Sequence, residues 1–321
     1  MRLRRRCGVA LAAAWLAAGG AWAQGDRITR IIVAFPPGGP VDFVARTISE
    51  QLGRELQTQI IVENKPGANG AIGADTVAHA APDGMTLWLT SVGAIAINPV
   101  LYEKLSYDVQ RDFAPVSLVV NNDELLVINA SNAARNVPEW LAMARQQGKQ
   151  ITLASSGIGS IPHLAEEQLA LATKANLLHV PYKGAAPAIT DVLGGQVDAF
   201  FGDIPGLIGY VKGGKLKAIG IAAPKRSPVL PEVPTLAEQG LANVDTNNWY
   251  ALFAPAKTPP EKIAAINRAV QATLATPVVR ERLLAAGTDP APSTPQELGA
   301  LTRRDTEKWG ALIRANKIKP E

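Results

Sequence analysis

Apolar positions along this chain recur at two periods, and the periods alternate. Over 28–34 the residues ITRIIVA form a β-branched run that predicts a strand. From 41 to 56, Phe43, Val44, Ile48, Leu52 and Leu56 fall at helical spacing and predict a helix with those five in the core. The alternation continues with a strand at 59–63 (QIIVE), a small-residue helix at 71–81 stopped by Pro82-Asp83-Gly84, and a strand at 86–90 (TLWLT). A short loop at 91–96, a short helix at 98–105, an irregular stretch at 107–113 and a strand at 114–120 follow. This β-α-β-α-β order argues for a parallel sheet with helices on both faces.

A second series begins at once. Strands are predicted at 124–129, 151–154, 177–182, 197–202 and 216–222, and helices at 137–147, 162–173, 187–193 and 204–212. After a short helix at 234–239 and a strand at 249–253 (WYALF), three helices at 260–275, 277–286 and 295–316 each open on a proline. These last helices bring no strands of their own, so they are expected to cover the first sheet. The chain then leaves lobe one near 121–124 and returns near 245–249. The expected organisation is α/β with two lobes, each a mostly parallel sheet flanked by helices. Lobe one is 24–123 plus 247–321 and lobe two is 124–246. Two crossings between lobes make a hinge and a cleft.

The N-terminus changes how the charge is read. MRLRRR, an apolar run over 9–18 and Ala21-Trp22-Ala23 have the three parts of a cleavable secretory signal, assigned to 1–23. The run is too short for a membrane anchor. The single cysteine, Cys7, lies in the charged part, so it is no lipid anchor and the processed chain has no disulfide. Without the four leader arginines, 28 basic residues face 28 acidic ones. A neutral chain gives no case for nucleic acid or a polybasic membrane contact. No second apolar segment is long enough to cross a bilayer, and the processed protein is expected in the periplasm.

Two strand-to-helix loops carry candidate chemistry. In the first, Phe35-Pro36-Pro37-Gly38-Gly39-Pro40-Val41-Asp42, Pro40 suits the first helical position and the glycines let a ligand approach the backbone. The second, Ser155-Ser156-Gly157-Ile158-Gly159-Ser160-Ile161-Pro162-His163, adds three hydroxyls to the same plan. Free N–H groups at a helix start favour an anion. Two such loops in opposing lobes point to a ligand with anionic or polar ends; either alone is also an ordinary turn. Gly157-x-Gly159 lacks the third glycine of a dinucleotide fingerprint. Asp42 either caps its own helix or faces the cleft, and His163 is either a ligand contact or a structural cap. Lys183 either draws anions or is solvated. Asp203, after the strand VDAFFG, would select a ligand bearing a donor such as an amine or hydroxyl. Pocket size is expected to depend on 91–96, beginning at Ser91, on 182–185 and on Asp203. His79 and His179 read as structural. Three scattered histidines do not make a metal site, and no cofactor is implied. The serine loop holds no Gly-x-Ser-x-Gly or Ser-x-x-Lys pattern, and Ser160 with His163 is no triad, so an enzyme is the weaker reading.

Seven stretches together resemble one family: FPPGGPVDFVAR (35–46), VENKPGANGAIGAD (62–75), APDGMTL (81–87), SSGIGSIPHLAEE (155–167), HVPYKGAAPAITDVLGGQVD (179–198), LPEVPTLAEQG (230–240) and WYALFAPAKTPPEKI (249–263). They resemble the Bug-type receptors, the periplasmic solute-binding subunits of tripartite tricarboxylate transporters. The resemblance runs in order from about residue 28 to the C-terminus. It implies a two-lobe periplasmic binding protein fold, type II-like, with a deep ligand cleft between the lobes. It further implies a small carboxylate ligand: a di- or tricarboxylate, an aromatic or nicotinic-type acid, or an amino acid. One ligand carboxylate is gripped in that family by the loops matching 35–42 and 155–160, through backbone N–H groups, hydroxyls and water. Asp42 matches the aspartate of the family's Gly-Gly-Pro-x-Asp motif, and His163 the histidine after the glycine-serine loop; position 203 varies. The implied partners are membrane transporter subunits or, alternatively, a sensor kinase, with the receptor itself a monomer.

Overall fold

The computed structural model describes residues 28–244, 246 and 248–320. The signal-peptide assignment and Cys7 lie outside the described residues. Strand β1 (Ile28–Val33) pairs in parallel with β2 (Gln59–Asn64) and β3 (Thr86–Ser91), with α1 (Pro40–Leu56) and α2 (Ala71–Ala78) as the crossovers. The loop expected at 91–96 is instead a π-type turn, Gly93–Ile97, running straight into α3 (Asn98–Leu101). The physical reason is burial. Val92, Ala94, Ile95, Ala96 and Ile97 are all inaccessible to solvent, and a buried backbone has to satisfy its own polar groups. The helices expected at 98–105 and 71–81 are correspondingly shorter. Asp108 accepts from the N–H groups of Gln110 and Arg111 to start α4 (Val109–Asp112) in the stretch expected to be irregular.

Strand β4 (Phe113–Asn122) ends the first series, and β5 (Glu124–Asn129) opens the other sheet after one intervening residue. There follow α5 (Val137–Gln146), β6 (Ile151–Ser155), α6 (Ile161–Thr173), β7 (Leu177–Pro181), α7 (Ala185–Leu193), β8 (Ala199–Asp203), α8 (Ile204–Lys212) and β9 (Leu216–Ala222). Strand β10 (Asn248–Pro255) returns to the first sheet, and α9 (Pro260–Ala275), α10 (Pro277–Ala285), β11 (Thr288–Pro290) and α11 (Pro295–Asn316) complete the chain. The first sheet has the order β11-β4-β10-β3-β1-β2 and the second β7-β6-β8-β5-β9.

Both sheets are mixed, which corrects the expectation of mostly parallel ones. Strand β10 runs antiparallel to β3 and β4, β11 to β4, and β5 to both β8 and β9. A strand carrying the chain out of a sheet and one bringing it back lie side by side in opposite directions, so each crossing adds antiparallel pairs. The closing helices also bring a short strand, β11, that the sequence reading omits.

Helices α1, α9 and α10 cover one face of the first sheet, with Val44, Ile48 and Leu52 of α1 buried against Ile31 and Val33. Phe43 and Leu56 pack at the margin of that cluster. The other face carries Ile32, Trp88 and Trp249, covered by α2 and by α11 with its Trp309. Each fully buried large side chain contributes about 1.5–3 kcal/mol. In the second sheet the period of two is plain: Leu126 and Ile128 face α5 and α6, while Leu125 and Val127 face α7 and α8. Ile161 and Leu164 of α6 join the first sheet's apolar cluster, so the two lobes share packing beside the cleft.

Candidate functional site

Four strand-to-helix junctions meet between the sheets. After β1, Gly38 takes a left-handed conformation (φ +77°) and α1 starts with Pro40 at its first turn. After β6, Gly157 (φ +137°) and Gly159 (φ +75°) turn the chain so that the Ser160 hydroxyl accepts from the His163 N–H at 3.4 Å and starts α6. Gly184 precedes α7 and Asp203 precedes α8, neither with a side-chain cap. These junctions enclose a cleft between the lobes. Its lining takes Pro40 and Val41 from α1 with the preceding Gly39, Ile161 and Pro162 from α6 with the preceding Ser160, and Ala185 and Ala186 from α7, together with Phe35, Pro36, Asn69, Ser91, Ser156, Asp203, Asn248 and Tyr250. Among these lining residues there is no lysine or arginine. Positive potential comes from helix starts, whose first N–H groups have no intrahelical acceptor.

The lobes touch across this cleft. The Asn69 amide donates to the Gly159 carbonyl at 2.8 Å and to Asn98 Oδ1 at 3.0 Å. Asn98 donates back to the Asn69 carbonyl at 3.1 Å, which holds Asn69 in its left-handed conformation (φ +45°). A Cβ on Gly184 would fall 2.6 Å from Pro36 Cδ, so only glycine permits that approach. A second space adjoins the cleft through Phe35, Pro36, Asn69 and Ser156.

The structure divides the residues singled out by sequence. Phe35, Gly39, Ser91, Ser156, Ser160 and Asp203 line the cleft, and Gly157 and Lys183 line the adjoining space, Lys183 with its side chain exposed. Pro37, Gly38, Asp42, Ser155, Gly159 and His163 line neither. Pro37 and Gly38 are exposed on the outer side of the loop. Asp42 neither caps its helix nor faces the cleft. Its buried carboxylate accepts from the Gly38 N–H (2.9 Å), Arg46 Nε (2.8 Å) and Asn64 Nδ2 (3.0 Å) and so braces the first loop. Burial pushes its pKa up, but the hydrogen bonds from Arg46, Gly38 and Asn64 outweigh burial and hold it below the usual carboxylate range.

Behind the second loop, His163 Nδ1 accepts from the Gly159 N–H at 3.1 Å, which places its proton on Nε2. Its ring stacks on His179 at 4.0 Å, nearly parallel, and His179 Nε2 lies 2.7 Å from the Ser155 hydroxyl. Burial, with the neighbouring His163, pushes His179 down to about 3, so it is neutral. Ser155, Gly159 and His163 thus shape the loop from behind.

Sequence reading missed Asn69, Asn248 and Tyr250 as lining residues. Asn69 sits in the turn-rich Asn64–Gly70 stretch, where positive φ was the available signal. Asn248 and Tyr250 gave none, because their place follows from β10 entering between β3 and β4. They engage Asp203, whose carboxylate accepts from Asn248 Nδ2 at 2.7 Å and from the Tyr250 hydroxyl at 2.5 Å. Burial and the charge of Asp123 push Asp203 up to about 6 against these hydrogen bonds. Glu124 lies behind, reached by Asn248 at 3.4 Å and raised well above the usual range by burial and by Asp203.

A family model described as the tripartite tricarboxylate transporter family receptor matches residues 44–318. The protein BugT of Bordetella pertussis is 34% identical over 90% of this chain and 89% of its own. Among solved structures, the periplasmic binding protein BugD superposes with a TM-score of 0.87 at 33% identity, over 92% of this chain and 99% of BugD. MatC from Rhodopseudomonas palustris, solved with bound malate, superposes with a TM-score of 0.82 at 33% identity, over 89% of this chain and 99% of MatC. The two mixed sheets meeting at a cleft are thus the two-lobe architecture of periplasmic binding proteins, and the chain belongs to the Bug-type receptor family of tripartite tricarboxylate transporters.

Proposed function

We propose that this protein is a periplasmic receptor that captures a small carboxylate between its lobes and presents it to the membrane subunits of a tripartite tricarboxylate transporter. The observation that carries this reading is the convergence of the α1, α6 and α7 N-termini on a cleft lined by no cationic side chain. Such a lining suits a carboxylate held by N–H groups and hydroxyls. The malate of MatC supports the same ligand class. In this reading residues 1–23 are a cleaved leader, 24–123 with 247–321 form lobe one, and 124–246 form lobe two. The Gly39–Val41 backbone, Ser156, Ser160 and the Ala185–Ala186 backbone grip the ligand. Gly38, Asp42, Ser155, Gly157, Gly159 and His163 hold the loops in shape.

The test is a thermal-shift and calorimetric screen of refolded, ligand-stripped protein against a panel of small carboxylates. A ligand at a hundred times its Kd adds about 2.7 kcal/mol, a rise of roughly 4 °C for a chain of this size. Ser156→Trp fills the cleft and abolishes the shift while the circular dichroism stays unchanged. A folded protein that responds to no acid, or a Ser156→Trp variant that binds normally, refutes the reading.

A further inference from the structure

The cleft has a second kind of lining, at Asp203, Asn248 and Tyr250, that a bare anion does not explain. The Tyr250 hydroxyl has one proton, and it goes to Asp203. The Asn248 amide has two, and they go to Asp203 and Glu124. None of these three side chains has a donor left for a ligand oxygen. Acceptors remain instead. Asn248 is 4% exposed, lines the cleft, and its Oδ1 has no hydrogen-bond partner. The Asp203 carboxylate has about four lone-pair directions, of which two are used. Glu124, fully buried behind Asn248, likewise has an unpartnered Oε2. A second carboxylate placed here would meet a like charge and no donor from these three side chains. A protonated amine would meet one carboxylate and one amide oxygen, each with free capacity. The donors for a carboxylate, at the helix starts, line the same small cavity.

We propose that the cleft selects a zwitterionic amino acid, its carboxylate on the helix N-termini and its ammonium on Asp203 and Asn248 Oδ1. This rests on the receptor reading above and narrows its ligand class. Asp203 then acts as a specificity residue: it excludes acids that have nothing to donate. A hydroxyl at the same carbon satisfies one acceptor and leaves the charge of Asp203 unanswered.

The experiment is calorimetry on ligand-stripped protein with matched sets that differ only at one carbon: L-aspartate, L-malate and succinate; L-glutamate and glutarate; L-alanine, L-lactate and propionate; L-phenylalanine and 3-phenylpropionate. In the set that binds, the amino acid should bind at least about tenfold tighter than its hydroxy or deaminated counterpart, as expected for a hydrogen-bonded charge pair. Asp203→Asn keeps an acceptor for Tyr250 and removes the charge, so it should erase that preference. Should this variant misfold, the matched sets on the wild type decide alone. A deaminated or hydroxy acid that binds as tightly as its amino acid overturns this inference and leaves the carboxylate receptor intact. Failure of every acid to bind overturns the receptor reading and this inference with it.

Discussion

Gly206 offers a perturbation that acts on lobe closure alone. It sits in the first turn of α8, in the second lobe, and faces Pro40 at the start of α1, in the first. A Cβ at Gly206 would fall 2.8 Å from Pro40 Cγ and 3.4 Å from Cδ. Carbon atoms pack at about 3.5–4.0 Å, and a proline ring cannot swing aside as a flexible side chain would. Gly206→Ala therefore forces the lobes apart by several tenths of an ångström. Overpacking of this kind costs about 1–3 kcal/mol, charged entirely to the closed arrangement. The open arrangement has no clash, and its helix gains up to about 1 kcal/mol from alanine. Affinity should fall by about 5- to 150-fold, while the ligand-free protein melts at the same temperature or slightly higher. Gly209, on the same helix, has nothing within 4 Å of its Cβ position. Gly209→Ala gives the same helix gain and should bind within about twofold of wild type. Calorimetry gives the affinities, and small-angle scattering with and without ligand reads closure. If Gly206→Ala binds like wild type, or both alanines weaken binding equally, the contact between α1 and α8 has no part in closure.

Two further substitutions test the loops and the core. Glu166, on the buried side of α6, has neither carboxyl oxygen partnered, and burial raises its pKa well above 4.5. The fold keeps a proton there that the unfolded chain releases above pH 4.5, so this group costs about 1.4 kcal/mol of stability per pH unit above that value until it ionises in the fold. Glu166→Gln removes the dependence: in urea titrations its advantage over wild type should grow as pH rises above 4.5, and an advantage flat in pH contradicts the buried neutral acid. Asp42→Ala deprives Gly38, Arg46 and Asn64 of a common acceptor and should cost about 2–3 kcal/mol and about tenfold in affinity at pH 7. Because the folded pKa of Asp42 is depressed, its contribution is present above pH 3.8 and is lost as pH falls through the folded value. The stability gap between wild type and variant should therefore narrow as pH falls below 3.8, and a gap that stays constant there speaks against the charged brace.

What the sequence made legible was local. The α1 and α11 helices follow from periodicity and proline starts, which act within a few residues. The two loops were legible because a Pro/Gly or Ser/Gly turn between a strand and a helix is a local pattern. Strand direction was not, since the partner of β10 depends on where a strand from the end of the chain enters the first sheet. The same limit separated Ser156 from Ser155. Adjacent hydroxyls look alike in sequence, but alternation sends one to the cleft and the other to His179. Asp42 matched the family motif, and its use as a brace became visible only once Asn64, at the end of the neighbouring strand, was placed beside it. Asn248 and Tyr250 are legible only in three dimensions, because they reach Asp203 from 45 and 47 residues away.

Distribution of the donors between lobes explains how such a site can both hold and release an anion. The α1 start belongs to the first lobe, and the α6 and α7 starts to the second. A ligand on one lobe alone meets part of the set; all three helices face it only when the lobes meet. A helix start contributes about 0.3–1 kcal/mol to an exposed anion and up to about 2 kcal/mol in a partly buried geometry. Closure brings in the missing helices and, by excluding water, raises the value of each. Moving an open–closed equilibrium from 1:99 to 99:1 takes about 5.5 kcal/mol of differential binding. Two helix starts gained at the higher value provide about 4 kcal/mol of this, and hydroxyls such as Ser156 and Ser160 can provide the remainder at about 1 kcal/mol each. An arginine clamp on one lobe would bind open and closed forms nearly alike, and would tighten the complex without driving closure. With donors split between lobes, ligand binding and closure are one event, and any partner that pries the lobes apart also releases the ligand.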